Sequence, residues 1–182
     1  DDLPYGGGPG MILKPEPIFR AVDYVTRHCE EHAMCEIILP TPQGRPYNQK
    51  IAKKLTTVDH LVFICGHYKG VDERVREELV TAELSLGDFI LSGGEIPALA
   101  IIDSIIRLLP GVLQDPMSAE TDSFNDNMLD APYYTRPEIY RGIKVPQILL
   151  SGHHAKIKAW REEKKIKRTR ERRNDLLVDN RD

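Results

Sequence analysis

The chain has 182 residues, 41% of them hydrophobic and 29% charged, with a formal net charge of −3. That is room for one sizeable core, or for one domain and a smaller second one, in a composition ordinary for a globular protein. No run of about 18 apolar residues exists, so the sequence offers no helix to span a membrane.

Three cysteines, at 29, 35 and 65, lack CxxC spacing, and an odd count suggests reduced thiols in a cytoplasm. Residues 4–11 form a Gly/Pro loop without the GxGxxG or P-loop spacing. From Glu16 to about Glu31, Ile18, Val22, Val25 and Cys29 recur at helical spacing. His28, Cys29, His32 and Cys35 lie close enough to suggest a metal cluster. One helix does not readily wrap four ligands tetrahedrally around one ion, so no metal site is assigned. Cys35 to Leu39 reads as a strand, ended by a turn at Pro40-Thr41-Pro42-Gln43-Gly44. Asn48 caps a short helix from Gln49 to Leu55. His60 to Cys65 is a nearly continuous apolar run, as in buried parallel strands. The loop Gly66–Gly70 and a charged helix, Val71–Leu79, follow.

Thr81 to Leu91 holds one or two further strands interrupted at Gly87, with Phe89-Ile90-Leu91 reading as a buried strand. Gly93-Gly94 then precedes a helix from Glu95 to Leu109, with Pro97 in its first turn. That helix is apolar almost all round, which reads as buried; Asp103 and Arg107 break the pattern. The glycine pair fits a tight turn, or a place where a ligand meets bare backbone. Arg107 fits a cation at a helix C-terminus. Strand, loop and helix thus repeat around Ile37, Val62 and Ile90, which predicts α/β architecture with a mainly parallel sheet. Ligands of such sheets bind at the carboxyl ends of the strands, here the loops 39–44, 66–70 and 91–95.

After Gly111 the composition changes. Gln114 to Asn127 is polar and aperiodic, and reads as a mobile linker or lid holding Asp122 and Asp126. Pro132 to Pro137 is aromatic and basic, and His153 to about Arg173 is a long basic helix with Trp160. Between Lys156 and Arg173, ten Lys/Arg face three Asp/Glu, a local charge of +7 that leaves −10 for the other residues. A solvated helix explains such a run by itself; the asymmetry along the chain points to an anionic partner, nucleic acid above all.

Three stretches together carry a resemblance: Ser85-Leu86-Gly87-Asp88-Phe89-Ile90-Leu91-Ser92-Gly93-Gly94-Glu95 and the helix after it; Ile64-Cys65-Gly66-His67-Tyr68-Lys69-Gly70-Val71-Asp72-Glu73-Arg74; and Pro4-Tyr5-Gly6-Gly7-Gly8-Pro9-Gly10-Met11. In their order along the chain they resemble the bacterial tRNA (guanine-N1)-methyltransferases of the knotted SPOUT class, over nearly the whole chain. The resemblance implies a SPOUT-type sheet with a deep trefoil knot over residues 1–113, a flexible linker over 114–131, and a partial helical tRNA-binding domain over 132–182. It also implies a piece truncated at both ends, without the family's first strand. The implied reaction moves a methyl group from S-adenosylmethionine to N1 of the guanosine at tRNA position 37, beside the anticodon, in a cytoplasmic homodimer whose site lies between subunits.

Guanine N1 carries a proton, so its methylation needs a base for that proton and a cation or donor for the charge that builds on O6. By the resemblance, Asp122 is the general base and Arg107 the cation. Leu39, Pro40, Thr41, Gly66, Tyr68, Gly70, Leu86, Gly87, Asp88, Phe89, Ile90 and Leu91 match cofactor contacts, with Gly93, Gly94 and Pro97 beside them. Taken alone, Asp122 reads as a solvated loop residue and Tyr68 as a partly buried core tyrosine. Lys69 stands where well-known members carry Glu at a position implicated in substrate or magnesium contacts, so magnesium is assigned no protein ligand. Leu39 and Phe89 replace tyrosines common there. Two other readings compete. A non-catalytic RNA-binding module on a degenerate SPOUT scaffold would need only the basic helix, Arg136 and Tyr134; retention of Asp122 and Arg107 argues against it. A nucleotide-binding protein of another class, such as a phosphotransferase, is disfavoured by the missing P-loop and GxGxxG.

Overall fold

The computed structural model describes residues 1–27, 33–113 and 121–178, which fall into two units, Asp1–Val112 and Leu113–Asp182. The first unit runs α1 (Pro15–Thr26), β1 (Cys35–Pro46), α2 (Gln49–Leu55), β2 (His60–Phe63), α3 (Glu73–Glu78), β3 (Ala82–Ser85) and α4 (Glu95–Ile106). Among the described residues these strands form a parallel sheet in the order β2-β1-β3. Successive residues of a strand face opposite sides. Ile38 accordingly packs with Ile51 and Leu55 of α2 and Ile101 and Ile105 of α4, while Leu39 packs with Val22 of α1 and Val75 of α3. Helices therefore cover both faces of the sheet, the arrangement that makes parallel strands apolar throughout.

The helix starts follow local chemistry. Asn48 Oδ1 accepts a hydrogen bond from the Ile51 N–H at 3.1 Å, capping α2. Asp72 Oδ1 accepts one from the Arg74 N–H at 3.0 Å, capping α3. α1 ends at Thr26, so the helix expected to reach Glu31 is observed only that far; 28–32 lie outside the described residues. The suggested metal cluster shares this fate: His28, Cys29 and His32 lie outside them, and Cys35 opens β1.

Two sequence expectations are corrected in this unit. β1 does not end at Pro40. Pro40 and Arg45 both stand opposite Leu84, so residues 41–44 arch out of the sheet and the strand resumes to Pro46. Gly44 permits the return, since a Cβ there would lie 2.5 Å from the backbone of Glu83 and Leu84. The other correction concerns Phe89-Ile90-Leu91, which is an exposed loop and no buried strand: the third strand stops at Ser85, and Ile90 is 79% exposed. Apolarity there serves a surface, and so it does on α4: Ala98, Ile101 and Ile105 are buried while Ile96 and Leu99 stand out in solvent.

The second unit contains a hairpin, β4 (Ile139–Tyr140) and β5 (Ile143–Lys144), followed by α5 (Gln147–Leu150), α6 (His154–Arg172) and α7 (Asp175–Val178). Arg141 and Gly142 make its two-residue turn with φ of 49° and 78°, positive at both positions as a type I′ hairpin requires. Residues 121–131, expected as part of a flexible linker, are turns tied to α6. Thr169, fully buried, accepts a hydrogen bond from the Leu129 N–H at 2.9 Å; Arg168 donates to the Asp130 carbonyl at 3.1 Å; Lys165 pairs with Asp126 at 2.7 Å. Hydrogen bonds to a helix some 40 residues onward leave no local pattern in the sequence.

Gly44→Ala should cost about 1–3 kcal/mol of stability, seen as a lower midpoint of urea unfolding at an unchanged slope, because the added methyl group meets backbone that cannot rotate aside. An unchanged midpoint would mean that the arch relaxes freely.

Candidate functional site

Parallel strands deliver their carboxyl ends to one edge, and the loops there enclose a cavity of about 680 Å³. Its walls come from the arch after Pro40, from the loop 66–71 after β2, from residues 84–87 and 89–94 at and beyond the end of β3, and from Pro97 in the first turn of α4. The size suits a small organic ligand, as does the mix of apolar side chains with exposed backbone.

The walls hold one another in place. The Gly94 N–H donates to the Gly66 carbonyl at 2.8 Å, and His67 bridges to Gly93. A Cβ at Gly94 would sit 2.8 Å from Cys65 Cα and 2.9 Å from Gly66 N, so the two backbones cross in contact. Gly94 has φ of −80°, ordinary for any residue; its glycine serves the close approach. The N-terminal loop secures the other side, with the Lys69 N–H donating to Met11 O at 3.0 Å and the Leu13 N–H to Gly70 O at 3.0 Å. At the rim, Arg76 of α3 donates to Gln43 in the arch and pairs with Glu83 at 2.6 Å, which holds its guanidinium above its ordinary range.

Of the fifteen cofactor positions expected from sequence, fourteen line this cavity: Leu39, Pro40, Thr41, Gly66, Tyr68, Gly70, Leu86, Gly87, Phe89, Ile90, Leu91, Gly93, Gly94 and Pro97. Asp88 is not among the lining residues. Tyr68 is no core tyrosine: it is 61% exposed at φ 56°, a left-handed conformation uncommon for a bulky residue and frequent at functional loops. Sequence reasoning assigned no role to Gln43, His67 or Arg76, although all three line the cavity. His67 stood in a quoted motif; Arg76 reads as one charge on a charged helix, and only its reach to Glu83 and Gln43 sets it apart.

Neither of the two expected catalytic residues is among those that line the cavity. Arg107 follows the last turn of α4, whose 12 residues put it about 18 Å along the axis from the helix end at the cavity. Within one chain Arg107 therefore does not meet a ligand held there. Asp122 belongs to the second unit, where Asn125 N–H donates to its carbonyl at 3.4 Å and its Oδ2 is shielded from solvent. Among the described residues no group of three or more His, Cys, Asp or Glu could hold a metal ion, and no helix is long and apolar enough to cross a membrane.

Beneath the crossing lies Cys65. Burial, and then the Glu95 carboxylate, push its thiol above the ordinary range, so it stays protonated near neutral pH and is a poor nucleophile. Alkylation of Cys65, followed peptide by peptide, should rise with a midpoint above that of an unperturbed thiol. Glu95→Gln should move the midpoint down only part of the way, because burial is the larger cause. A full return to the free-thiol value would show that charge, and not burial, controls this sulfur.

Comparison of the sequence with known proteins shows the family. Residues 1–179 match the family described as tRNA (Guanine-1)-methyltransferase TrmD. A Bacillus subtilis protein named tRNA (guanine-N(1)-)-methyltransferase is 56% identical over 179 residues, 98% of this chain and 73% of that protein. Proteins of the same name from Brevibacillus brevis and Chlorobium luteolum are 55% and 54% identical, each over 177 residues, 97% of this chain and 71% and 75% of theirs.

Proposed function

The chain belongs to the tRNA (guanine-1)-methyltransferase family, and from that premise we propose how it acts. It methylates N1 of guanine in tRNA. The methyl donor is S-adenosylmethionine, seated in the cavity of the first unit, and the target is the guanosine at position 37. The observation that carries this reading is the cavity itself: fourteen of the positions that the family resemblance marks for the donor, far apart in sequence, surround one space of ligand size.

The residues present suit such a donor. Leu39, Ile90, Leu91 and Pro97 offer apolar surface to an adenine ring, and the loops 66–70 and 86–94 offer backbone N–H and C=O groups to its edges and to the ribose. When bound, S-adenosylmethionine supplies an already activated methyl group. The chain must then orient the base and manage one proton. Asp122 takes the proton from N1, and Arg107 faces the charge that grows on O6. Arg107 stands at the far end of α4 from the cavity of its own chain. A homodimer with its site between subunits answers that separation. The exposed Ile96 and Leu99 of α4 and the Phe89–Leu91 loop supply the apolar face such a dimer would cover. A trefoil knot belongs to the same proposal, supported by the crossing of residues 93–94 over 65–67, and so does a cytoplasmic location. Lys69 carries an ammonium with no lone pair, so magnesium, where it acts, acts through donor, RNA or Asp122.

The long basic helix supplies tRNA affinity, and its cations divide by role. Lys165 and Arg168 hold residues 126–130, whereas Lys156, Lys158, Arg170 and Arg172 are exposed. Replacing those four by Gln should weaken tRNA binding and flatten its salt dependence. Lys165→Gln should instead lower the unfolding temperature. Equal salt slopes in wild type and the fourfold variant would remove α6 from the RNA interface.

Asp122→Asn keeps the shape and removes the basicity. With donor binding intact, the single-turnover methylation rate should fall by a factor on the order of 10² to 10⁴. Arg107→Ala should slow the same step, and the double variant should be less impaired than the product of the two defects. Methylation by Asp122→Asn at the wild-type rate under saturating donor would transfer the role of base to Asp126. Mass spectrometry of the digested tRNA locates the methyl group.

A further inference from the structure

The second unit carries a surface that neither the cavity nor the basic helix explains. The hairpin and the irregular segment leading into it border a basin of about 410 Å³, lined by Tyr134, Arg136, Glu138, Tyr140, Ile143 and Lys144 among others. Its apolar side chains are open to solvent: Tyr140 is 60% exposed and Ile143 74%. An isolated hairpin of two residues per strand has little reason to display such groups unless something covers them.

The surrounding chemistry says what kind of partner that is. The Arg141 guanidinium lies 5.5 Å from the centre of the Tyr140 ring. Tyr134 stands 6.5 Å from Trp160, over which Lys164 sits at 5.6 Å. Among the described residues, Arg136, Arg141 and Lys144 enter none of the ion pairs. Flat aromatic faces beside unpaired cations match a nucleotide, with a π-face to stack and a phosphate to neutralise. A base within a duplex hides its faces in the stack, and the deep groove of A-form RNA excludes side chains, so the fit is to a nucleotide out of its stack.

We propose that this basin binds one unstacked nucleotide of the tRNA substrate, its base against Tyr140 and its phosphates on Arg136 and Lys144. The proposal rests on tRNA being the substrate of this chain. It assigns the hairpin to positioning the RNA strand, and no part of the methyl transfer to it.

The test uses the full chain with tRNA, binding being followed by fluorescence anisotropy at several salt concentrations. Tyr140→Ala should raise the Kd for tRNA about fivefold to a hundredfold, and Tyr140→Phe, which keeps the ring, should stay near wild type. Arg136→Gln and Lys144→Gln should each reduce the log–log salt slope by about 0.7 to 1. Donor affinity should be unchanged in all four. Wild-type protein that binds no tRNA would overturn the function proposed above. Wild type that binds while Tyr140→Ala binds equally well would overturn only this inference, and a lower oligomeric mass in that variant would assign the basin to a second copy of the chain. Should Tyr140→Ala not fold, tRNA carrying 4-thiouridine decides on the wild-type protein: crosslinks within residues 133–145 support the proposal, and crosslinks confined to other segments refute it.

Discussion

The crossing of two backbones at Gly94 and Gly66 is the constraint on which the first unit turns. The Gly94 N–H bonds the Gly66 carbonyl while its Cα rests against Cys65 and Gly66, with no room for a side chain. That contact brings the end of the loop after β3 under the loop after β2 and starts α4 there. Without it the 84–94 segment would have no fixed wall to meet and Pro97 would not reach the cavity. The thiol below feels the same closeness, since burial at the crossing and the nearby Glu95 both oppose its ionisation.

The arch of β1 is a second device of the same kind. Leaving the sheet at Pro40 and rejoining it at Arg45 costs ladder hydrogen bonds, but sends Thr41, Pro42 and Gln43 into the cavity wall. Arg76 grips the arch from α3 through Gln43, and is itself held by Glu83 of β3. Strand, arch and helix are thus one mechanical piece. Bulges commonly re-aim chain at functional edges in this way.

Charge in the second unit follows a division of labour. Lys165 and Arg168 face inward to Asp126 and the Asp130 carbonyl, where partial desolvation strengthens each contact. Neighbouring cations on the same helix remain in water, available for long-range attraction of a polyanion. A net charge of −3 for the chain conceals both arrangements, because attraction of RNA depends on the local field and not on the sum.

The sequence by itself determined whatever depends on neighbours along the chain. Alternation of apolar runs with amphipathic turns marked α/β architecture. Asn48 announced the start of α2, and the glycine-bearing loops at the strand ends named most of the cavity wall. The stretches 4–11, 64–74 and 85–95 carried the family. Tertiary structure alone decided the rest. Phe89-Ile90-Leu91 has the composition of a buried strand, yet the sheet has no place for it once Ser85 closes β3, so it lies on the surface. Pro40 to Gly44 has the composition of a terminal turn, yet Leu84, 44 residues after Pro40, draws the strand back into register. Gly44 and Gly94 look like turn residues, and are needed because other backbone lies against them. Arg107 and the cavity share one helix, and only its length shows that they stand at opposite ends. In each case the deciding contact joins residues tens of positions apart, or the two ends of a rigid element, and local periodicity holds no trace of either.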